Sequence, residues 1–126
     1  METMPTLKCN VLIAEDNENI RYLVKILLEE KGCQVLEASN GKEAIELAPR
    51  HKPDLILMDI RIPVIDGFEA TRRLRQIPAT TSIPIVGLSS LCDEWYEQAI
   101  AAGYDDCILK PIDAKVLDEI LDRFLH

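Results

Sequence analysis

Short apolar runs alternate with helix-period segments along this chain, and this alternation strongly limits the folds it can adopt. Residues 11–14, 55–58 and 83–88 are almost wholly apolar, as strands are when helices cover both faces of a parallel sheet. Residues 33–38 and 104–109 mix apolar and polar side chains, which is typical of strands at the edges of a sheet. The pattern therefore predicts three central strands and two edge strands.

Helical periodicity fills the segments between these strands. Apolar residues recur at helical spacing in residues 17–31, as Ile20, Leu23, Val24, Leu27 and Leu28, and near the end, as Val116, Leu117, Ile120, Leu121 and Phe124. Gly32 should end the first helix, and shorter helices are expected over residues 41–50, 67–76 and 93–102. We therefore predict a doubly wound (βα)5 flavodoxin-like sandwich with a parallel sheet in the order 2-1-3-4-5. One domain should span residues 1–126, with its core at about residues 9–125.

Charge and composition exclude several classes of function. The net charge of −8 argues against direct binding of nucleic acid or of an anionic membrane, because such binding needs clustered Lys and Arg. No apolar stretch approaches the roughly 18 residues of a membrane span, and residues 1–8 do not resemble a signal peptide. None of the four cysteines forms a C-x-x-C pair, so we interpret them as small buried hydrophobic residues. A reducing cytoplasm fits this interpretation.

Carboxylates follow the two strands that should meet at the centre of the sheet. Glu15 and Asp16 follow the first predicted strand, and Asp59 follows the third. The carboxyl ends of parallel strands share one rim, where ligands bind, and the switch point of this strand order lies between strands 1 and 3. Oxygen ligands suit Mg²⁺, so we expect a magnesium site here, completed by the backbone carbonyl of Arg61. The ammonium group of Lys110, which follows the fifth strand, would offset part of the negative charge.

The same rim could support phosphoryl chemistry. An aspartate such as Asp59 can act as a nucleophile on phosphorus and form an acyl phosphate. Lys110 and a cation would neutralise the phosphoryl oxygens, and the Ser89 hydroxyl, at the end of the fourth strand, could turn toward the new group. The modification would add a charge of about −1.5 to −2, which is enough to shift a helix between two positions.

Four segments at these strand ends resemble the receiver domain of bacterial two-component response regulators, and the resemblance covers nearly the full length of the chain. They are Val-Leu-Ile-Ala-Glu-Asp-Asn at 11–17, Met-Asp-Ile-Arg-Ile-Pro-Val-Ile-Asp-Gly at 58–67, Ile-Val-Gly-Leu-Ser-Ser at 85–90 and Lys-Pro at 110–111. The resemblance, which is closest to single-domain regulators of the chemotaxis type, implies that Asp59 accepts phosphate from a sensor histidine kinase or a histidine phosphotransfer protein. It also implies that Glu15 and Asp16 help to bind Mg²⁺.

The resemblance assigns roles to the rest of the rim as well. It implies that Ser89 is the switch hydroxyl, that Lys110 contacts the phosphate, and that the peptide bond before Pro111 is cis. The chain departs from the family three residues before the lysine, where receivers often carry a switching aromatic and this chain has Cys107. Aromatic residues that lie nearby in the sequence are Trp95, Tyr96 and Tyr104.

The resemblance further implies a signalling output. Phosphorylation would change the surface of helix 4, strand 5 and helix 5, and so alter binding of a downstream effector protein. Homodimers through the last helices are common in the family. The chain is then a phosphoryl acceptor, capable of self-dephosphorylation, and not an enzyme.

Three other functions compete with this one. A receiver-like interaction module that works without phosphate would keep the fold but not need the acids. A magnesium-dependent phosphatase with an aspartyl nucleophile would need a second Asp two residues after Asp59 as its general acid, and that position is Arg61. A flavodoxin-like cofactor carrier is disfavoured, because the acidic loop after the first strand would repel a flavin phosphate.

Overall fold

The computed structural model describes residues 9–125 as a five-stranded parallel sheet between two layers of helices. The strands are β1 Cys9–Ala14, β2 Cys33–Ala38, β3 Leu55–Asp59, β4 Ile85–Ser89 and β5 Asp106–Leu109. The helices are α1 Glu18–Glu30, α2 Gly41–His51, α3 Gly67–Gln76, α4 Cys92–Ala102 and α5 Ala114–Phe124. The sheet order is β2-β1-β3-β4-β5, and every pairing is parallel. The predicted fold class, strand order and edge strands are confirmed.

Two apolar layers hold the helices against the sheet. Helices α2, α3 and α4 cover one face and bury Ala44, Ala48, Ala70, Leu74, Ala99 and Ala102, while α1 and α5 cover the other with Val24, Leu28, Leu117, Ile120 and Leu121. All five residues of β3 are buried, because both layers contact this central strand. Each fully buried large aliphatic side chain contributes about 1.5–3 kcal/mol. The core therefore fixes the strand ends on which the candidate site depends.

The helix ends explain why the elements begin where they do. Four helices start after a side chain that accepts a hydrogen bond from the backbone of the first turn, namely Asn17, Asn40, Asp66 and Asp113. Among the helices of residues 9–125, only α4 starts without such a cap, after Leu91. No helix in this part of the chain has both the length and the apolar character needed to cross a bilayer.

Two predicted strands begin earlier in the sequence than the observed ones. Strand β4 starts at Ile85 and not at Ile83, since Pro84 has no N–H to donate to a neighbouring strand. Strand β5 starts at Asp106 and not at Tyr104. Gly103 ends α4 with a positive φ of 117°, and the Tyr104 amide still donates to the carbonyl of Ala99 at 3.1 Å. Tyr104 therefore belongs to the end of the helix.

The apolar stripe predicted for α1 is only partly covered by the sheet, and Leu23 lies on its uncovered side. This side chain is 53% exposed, whereas Val24 and Leu28 are buried against the sheet. Leu23 lies beside Pro111 and Ile112 in a shallow apolar groove of about 260 Å³. The apolar stripe of α1 is thus wider than the part of the helix that the sheet covers.

The interpretation of the cysteines is correct for one pair and wrong for the other. Cys9 and Cys33 are buried free thiols on paired positions of β1 and β2. Burial raises the pKa of the Cys33 thiol to about 12. Cys92 and Cys107, however, form a disulfide with a Cα–Cα distance of 5.7 Å. No spacing motif predicts this bond, because the two cysteines are 15 positions apart in the sequence.

Gly67, the first residue of α3, makes a backbone approach that no side chain would permit. A Cβ atom there would overlap the carbonyl oxygen of Asp59 and the hydroxyl of Tyr104, and it would lie 2.8 Å from the Cα of Ile60. We expect Gly67→Ala to lower the free energy of unfolding by about 1–3 kcal/mol, as other overpacked sites do. Urea denaturation measures this change.

Gly87→Ala is the matched control for this prediction. A Cβ at Gly87 would lie 3.1 Å from ring carbons of Tyr104 and overlap no backbone atom, so its cost should be smaller. Equal stability of the Gly67→Ala variant and the unchanged protein would contradict the packing described here.

Candidate functional site

The structure brings the five predicted side chains to the carboxyl-terminal rim of the sheet. Glu15 and Asp16 follow β1, Asp59 is the last residue of β3, Ser89 is the last residue of β4, and Lys110 follows β5. The Lys110 amide donates to the carbonyl of Ser89 at 3.1 Å, so β4 and β5 stay paired up to the rim. The topology alone places these residues together, since all the strands run in the same direction.

Three carboxylates form the centre of this rim. Oxygen atoms of Glu15, Asp16 and Asp59 all lie within 4.8 Å of one another. Glu15 is 1% exposed and Asp59 is 5% exposed, whereas Asp16 is exposed to solvent. Two oxygens on opposite sides of a magnesium ion are about 4.2 Å apart, which is close to the upper limit of the separations in this cluster, 4.8 Å. The three carboxylates could therefore share one hard cation, with water filling its other positions.

Lys110 supplies the positive charge that this cluster needs. Its Nζ donates to Glu15 Oε1 at 2.7 Å and to Asp59 Oδ2 at 2.9 Å. The lysine side chain is itself largely buried, so water screens these ion pairs only weakly. The peptide bond between Lys110 and Pro111 is cis, the isomer that the resemblance implies.

Burial and charge shift the pKa values of this ion-pair network. Burial raises the pKa of Glu15 above its usual range, although hydrogen bonds from Lys110 and from the backbone of Asn17 oppose the rise. Burial alone would lower the pKa of Lys110, but its hydrogen bonds to Glu15 and Asp59 prevail and raise it. The lysine therefore stays protonated at neutral pH.

Asp59 is held by donors on both of its oxygens. Oδ1 accepts a hydrogen bond from the Arg61 amide at 3.1 Å, and Oδ2 accepts one from Lys110 at 2.9 Å. Each carboxylate oxygen has two lone pairs, so both oxygens keep one for a further partner. The Arg61 guanidinium lies 5.8 Å from the ring centre of Trp95 in α4. The role of the Arg61 carbonyl as a metal ligand stays a prediction.

The loop between β3 and α3 is closed by backbone hydrogen bonds. The amide of Gly67 donates to the carbonyl of Ile60 at 2.9 Å, and the amide of Gly41 in α2 donates to that of Pro63 at 3.3 Å. Val64 at the tip has a positive φ of 71°, which is uncommon for a β-branched residue, and it is 72% exposed. The surrounding hydrogen bonds thus fix the loop against the local preference of this residue.

Ser89 and Tyr104 lie in the buried region beneath the rim. Ser89 is buried, and its hydroxyl accepts a hydrogen bond from the Leu91 amide at 3.0 Å. Tyr104 is also buried, with its hydroxyl against Gly67 and its ring against Gly87. Of the three nearby aromatics, Tyr104 and Trp95 pack against Phe68, and Tyr96 is 46% exposed. Tyr104 thus fills the space beneath the loop between β3 and α3.

Two larger grooves lie on the surface, one beside the carboxylate cluster and one away from it. One, of about 460 Å³, starts at Asp16 and runs past Arg61 to Trp95. The other, of about 520 Å³, lies along β2 and is lined by Gln34 and His51 among others. Only the first touches a residue of the cluster, so the second has no evident part in the chemistry of the rim.

Comparison with known proteins agrees with this geometry. A family model described as the response regulator receiver domain matches residues 11–122. The polar-differentiation response regulator DivK of Brucella anthropi is 35% identical over 117 residues, which cover 92% of this chain and 95% of DivK. The chain therefore belongs to the response regulator receiver family of two-component signalling.

Solved structures extend the comparison to three dimensions. The receiver domain of sensor histidine kinase PA1611 from Pseudomonas aeruginosa, described with a magnesium ion coordinated in its active-site cleft, matches with a TM-score of 0.87 and 32% identity, covering 93% of this chain and 97% of that chain. A co-crystal structure of the Saccharomyces cerevisiae phosphotransfer protein Ypd1 with the receiver domain of Ssk1 matches with a TM-score of 0.85 and 26% identity, covering 96% of this chain and 91% of that chain.

The sequence did not reveal several contacts around the site. These are the Arg61–Trp95 contact, the position of Tyr104 beneath the loop, and a bond from the Arg21 side chain to the Glu15 carbonyl at 2.8 Å. Each joins elements whose relative rotation the periodicity does not specify. For the Arg21–Glu15 contact, the one indication in the sequence is that an arginine lies in the first turn of α1.

Lys110→Met tests whether this amine balances the buried acids. We expect the free energy of unfolding at pH 7 to fall by about 3 kcal/mol, because two buried carboxylates would lose their cation. The deficit should shrink as the pH falls through the pKa of Glu15, since a protonated carboxyl needs no counter-charge. In the unchanged protein the pKa of Lys110 is raised by folding. The ion pairs of Lys110 therefore stabilise the fold fully below the pKa of an unfolded lysine, and this stabilisation is lost as the pH rises through the pKa of Lys110 in the folded protein.

Lys25→Met is the control for this measurement, made by urea denaturation across pH. Lys25 pairs with Glu29 along α1 at 3.4 Å. It is a partly exposed i,i+4 pair, and surface pairs of this spacing contribute only about 0.3–0.5 kcal/mol. Equal losses for the two variants would show that Lys110 does not have the role assigned to it.

Proposed function

We propose that this chain is a phosphoryl-accepting receiver in which Asp59 is the acceptor. The observation that carries the proposal is the meeting of Asp59 with Glu15, Asp16 and Lys110. The carboxylate oxygens lie within 4.8 Å of one another, and the lysine amine lies 2.9 Å from Asp59. The donor would be the phosphohistidine of a sensor histidine kinase or of a histidine phosphotransfer protein. Residues 1–126 would act together as one receiver unit.

The transfer itself follows from the position of Asp59. One of its oxygens attacks phosphorus, and an O–P bond forms as the N–P bond to the donor imidazole breaks and the imidazole takes the electron pair. Lys110 would pair with a phosphoryl oxygen. Glu15, Asp16, Asp59 and the carbonyl of Arg61 would hold Mg²⁺, which when bound supplies positive charge to the phosphoryl oxygens. Water attack on the product would reverse the modification.

The competing functions have less support. A phosphatase would need a carboxylic acid two residues after Asp59, and Arg61 there points its guanidinium toward Trp95. A module that works without phosphate would not need three carboxylates around a lysine, because such a cluster carries repulsion that a plain interaction surface avoids. Phosphoryl acceptance accounts for all four charged groups.

The response to phosphorylation is proposed to pass through Ser89 to the α4–β5 face. The Ser89 hydroxyl now accepts a hydrogen bond from the Leu91 amide at 3.0 Å. It would leave this amide and donate a hydrogen bond to the new phosphoryl group. The outer α4–β5 face carries the exposed apolar side chains Tyr96, Ile100 and Leu109. We propose that this face, with α5, binds a downstream effector protein. A homodimer through the same helices stays a prediction.

The docking site for the phosphoryl donor is proposed to lie beside Lys110. The groove formed by Ile20, Leu23, Pro111 and Ile112 opens next to this lysine. An apolar surface there would bind a partner helix and bring its histidine to the rim. The comparison structure of Ypd1 with the Ssk1 receiver domain is an example of such a pair. With a net charge of −8, we propose protein partners in the cytoplasm and no direct binding to nucleic acid or membrane.

Phosphorylation can be tested with a small acyl-phosphate donor such as acetyl phosphate. In the presence of Mg²⁺ we expect the intact mass to increase by one phosphoryl group, and we expect Asp59→Asn to abolish the increase. Asp122→Asn, on the exposed side of α5, is the matched control and should still be modified. An unchanged mass of the folded protein would overturn the proposal.

Magnesium binding can be tested separately by thermal unfolding. A ligand that binds only the folded state stabilises it by about 2.7 kcal/mol at a hundredfold excess over Kd, which amounts to several degrees in melting temperature. We expect Mg²⁺ to raise the melting temperature relative to chelator and Asp16→Asn to reduce the shift, while Asp122→Asn keeps it. Identical melting curves with Mg²⁺ and with chelator would contradict the metal site.

A further inference from the structure

A covalent bond joins the start of α4 to β5, close to the proposed acceptor site. Cys92 is the first residue of α4, Cys107 lies within β5, and their Cα atoms are 5.7 Å apart. Cys107 is paired across the sheet with Gly87 of β4, and a Cβ at position 87 would make an ordinary contact of 3.5 Å with the Cys107 sulfur. The cross-link therefore lies beside β4 as well as joining α4 to β5.

The cross-link connects two segments that carry site residues. Cys92 lies three residues after Ser89, and Cys107 lies three residues before Lys110. Between Ser89 and Cys92 there are only two residues, so the bond leaves this loop little freedom. One turn further along α4, Trp95 contacts the Arg61 side chain. The bond thus constrains the Ser89 loop directly and the Arg61 loop through α4.

The two cysteines differ in exposure. Cys92 is buried, whereas Cys107 is only half-buried, so Cys107 is the more accessible residue of the pair. The second pair, Cys9 and Cys33, is buried on both sides and stays as free thiols although the residues are paired across β1 and β2. This second pair provides an internal control within the same chain.

We propose that Cys92 and Cys107 form a reversible thiol–disulfide modification site that controls how freely the Ser89 loop and α4 move. In the oxidised form, the bond between them holds the first turn of α4 to β5. In the reduced form, the first turn of α4 loses this tie, and α4 also has no side-chain cap at its start. The effect on phosphoryl acceptance rests on the proposed function, whereas the modification itself does not.

The chemistry is exchange with a low-molecular-weight disulfide such as oxidised glutathione. The Cys107 thiolate attacks one sulfur of the small disulfide, forms a mixed disulfide and releases one small thiolate. Cys92 then attacks the Cys107 sulfur and releases the second. Two protein thiols are oxidised, one small disulfide is reduced to two thiols, and the two protons of the cysteines end on those thiols. A dithiol reverses the reaction. Reversible disulfides of this kind are the usual ones in reducing compartments.

The modification is tested by differential alkylation of the full chain. After incubation with oxidised glutathione, alkylation under denaturing conditions and peptide mapping should label Cys9 and Cys33 and leave Cys92 and Cys107 protected. After a dithiol all four should be labelled, and a return to oxidised glutathione should protect the same two again. Labelling of Cys92 and Cys107 in both states would overturn the proposal, as would protection that a dithiol does not remove.

The coupling is tested by comparing phosphorylation of the oxidised and reduced chains with acetyl phosphate and Mg²⁺. We expect the oxidised chain to react more slowly by a factor of about five or more, the lower range of couplings between distinct sites. Comparing two redox states of one chain avoids any dependence on whether a variant folds. Cys107→Ser should match the reduced chain in both buffers, and Cys33→Ala should keep the redox difference.

The outcomes separate the two proposals. Equal rates in both redox states, with the cross-link verified by mapping, would overturn the coupling and leave the acceptor function standing. No phosphorylation in either state would overturn the acceptor function and the coupling together, whereas reversible protection of Cys92 and Cys107 would still support the modification site.

Discussion

One ammonium group offsets part of the negative charge of the rim. Lys110 lies between two buried carboxylates, at 2.7 Å from Glu15 and 2.9 Å from Asp59, and without it the acids would repel one another in a poorly screened site. The parallel sheet makes this arrangement possible, because β1, β3 and β5 all end at the same edge. The apolar layers on both faces then hold the strands in place, so the electrostatic balance depends on the packing of the core.

Much of the fold follows from the sequence because each strand type has its own pattern. The central segments 11–14, 55–58 and 83–88 are almost wholly apolar and the edge strands are mixed, which together with right-handed crossovers was enough to order the sheet. The convergence of Glu15, Asp16 and Asp59 followed from that order alone. The boundaries were less accurate where a single residue decided them: Pro84 delays β4, and Gly103 ends α4 so that the Tyr104 amide bonds back to the helix and not into β5.

The contacts that the sequence did not predict depend on how helices rotate and tilt over the sheet. Helical periodicity shows which face of α4 is buried, but not that Cys92 lies 5.7 Å from Cys107 between Cα atoms. It also did not show that Trp95 would contact Arg61. The exposure of Leu23 had a related cause, because the stripe of α1 is wider than the sheet surface beneath it. These contacts depend on how several side chains of different volume pack together, and the spacing of apolar residues along the sequence does not contain that information.

The left-handed backbone at Val64 has a consequence for how this domain can diversify. The loop is held at Gly67, through Ile60, and at Pro63, through Gly41 in α2, while the residue at its tip faces solvent and does not favour its own conformation. The carbonyl groups near Asp59 are therefore positioned by remote anchors. The tip is free to vary in sequence, and such variation could alter which proteins recognise the domain without moving the atoms that do its chemistry.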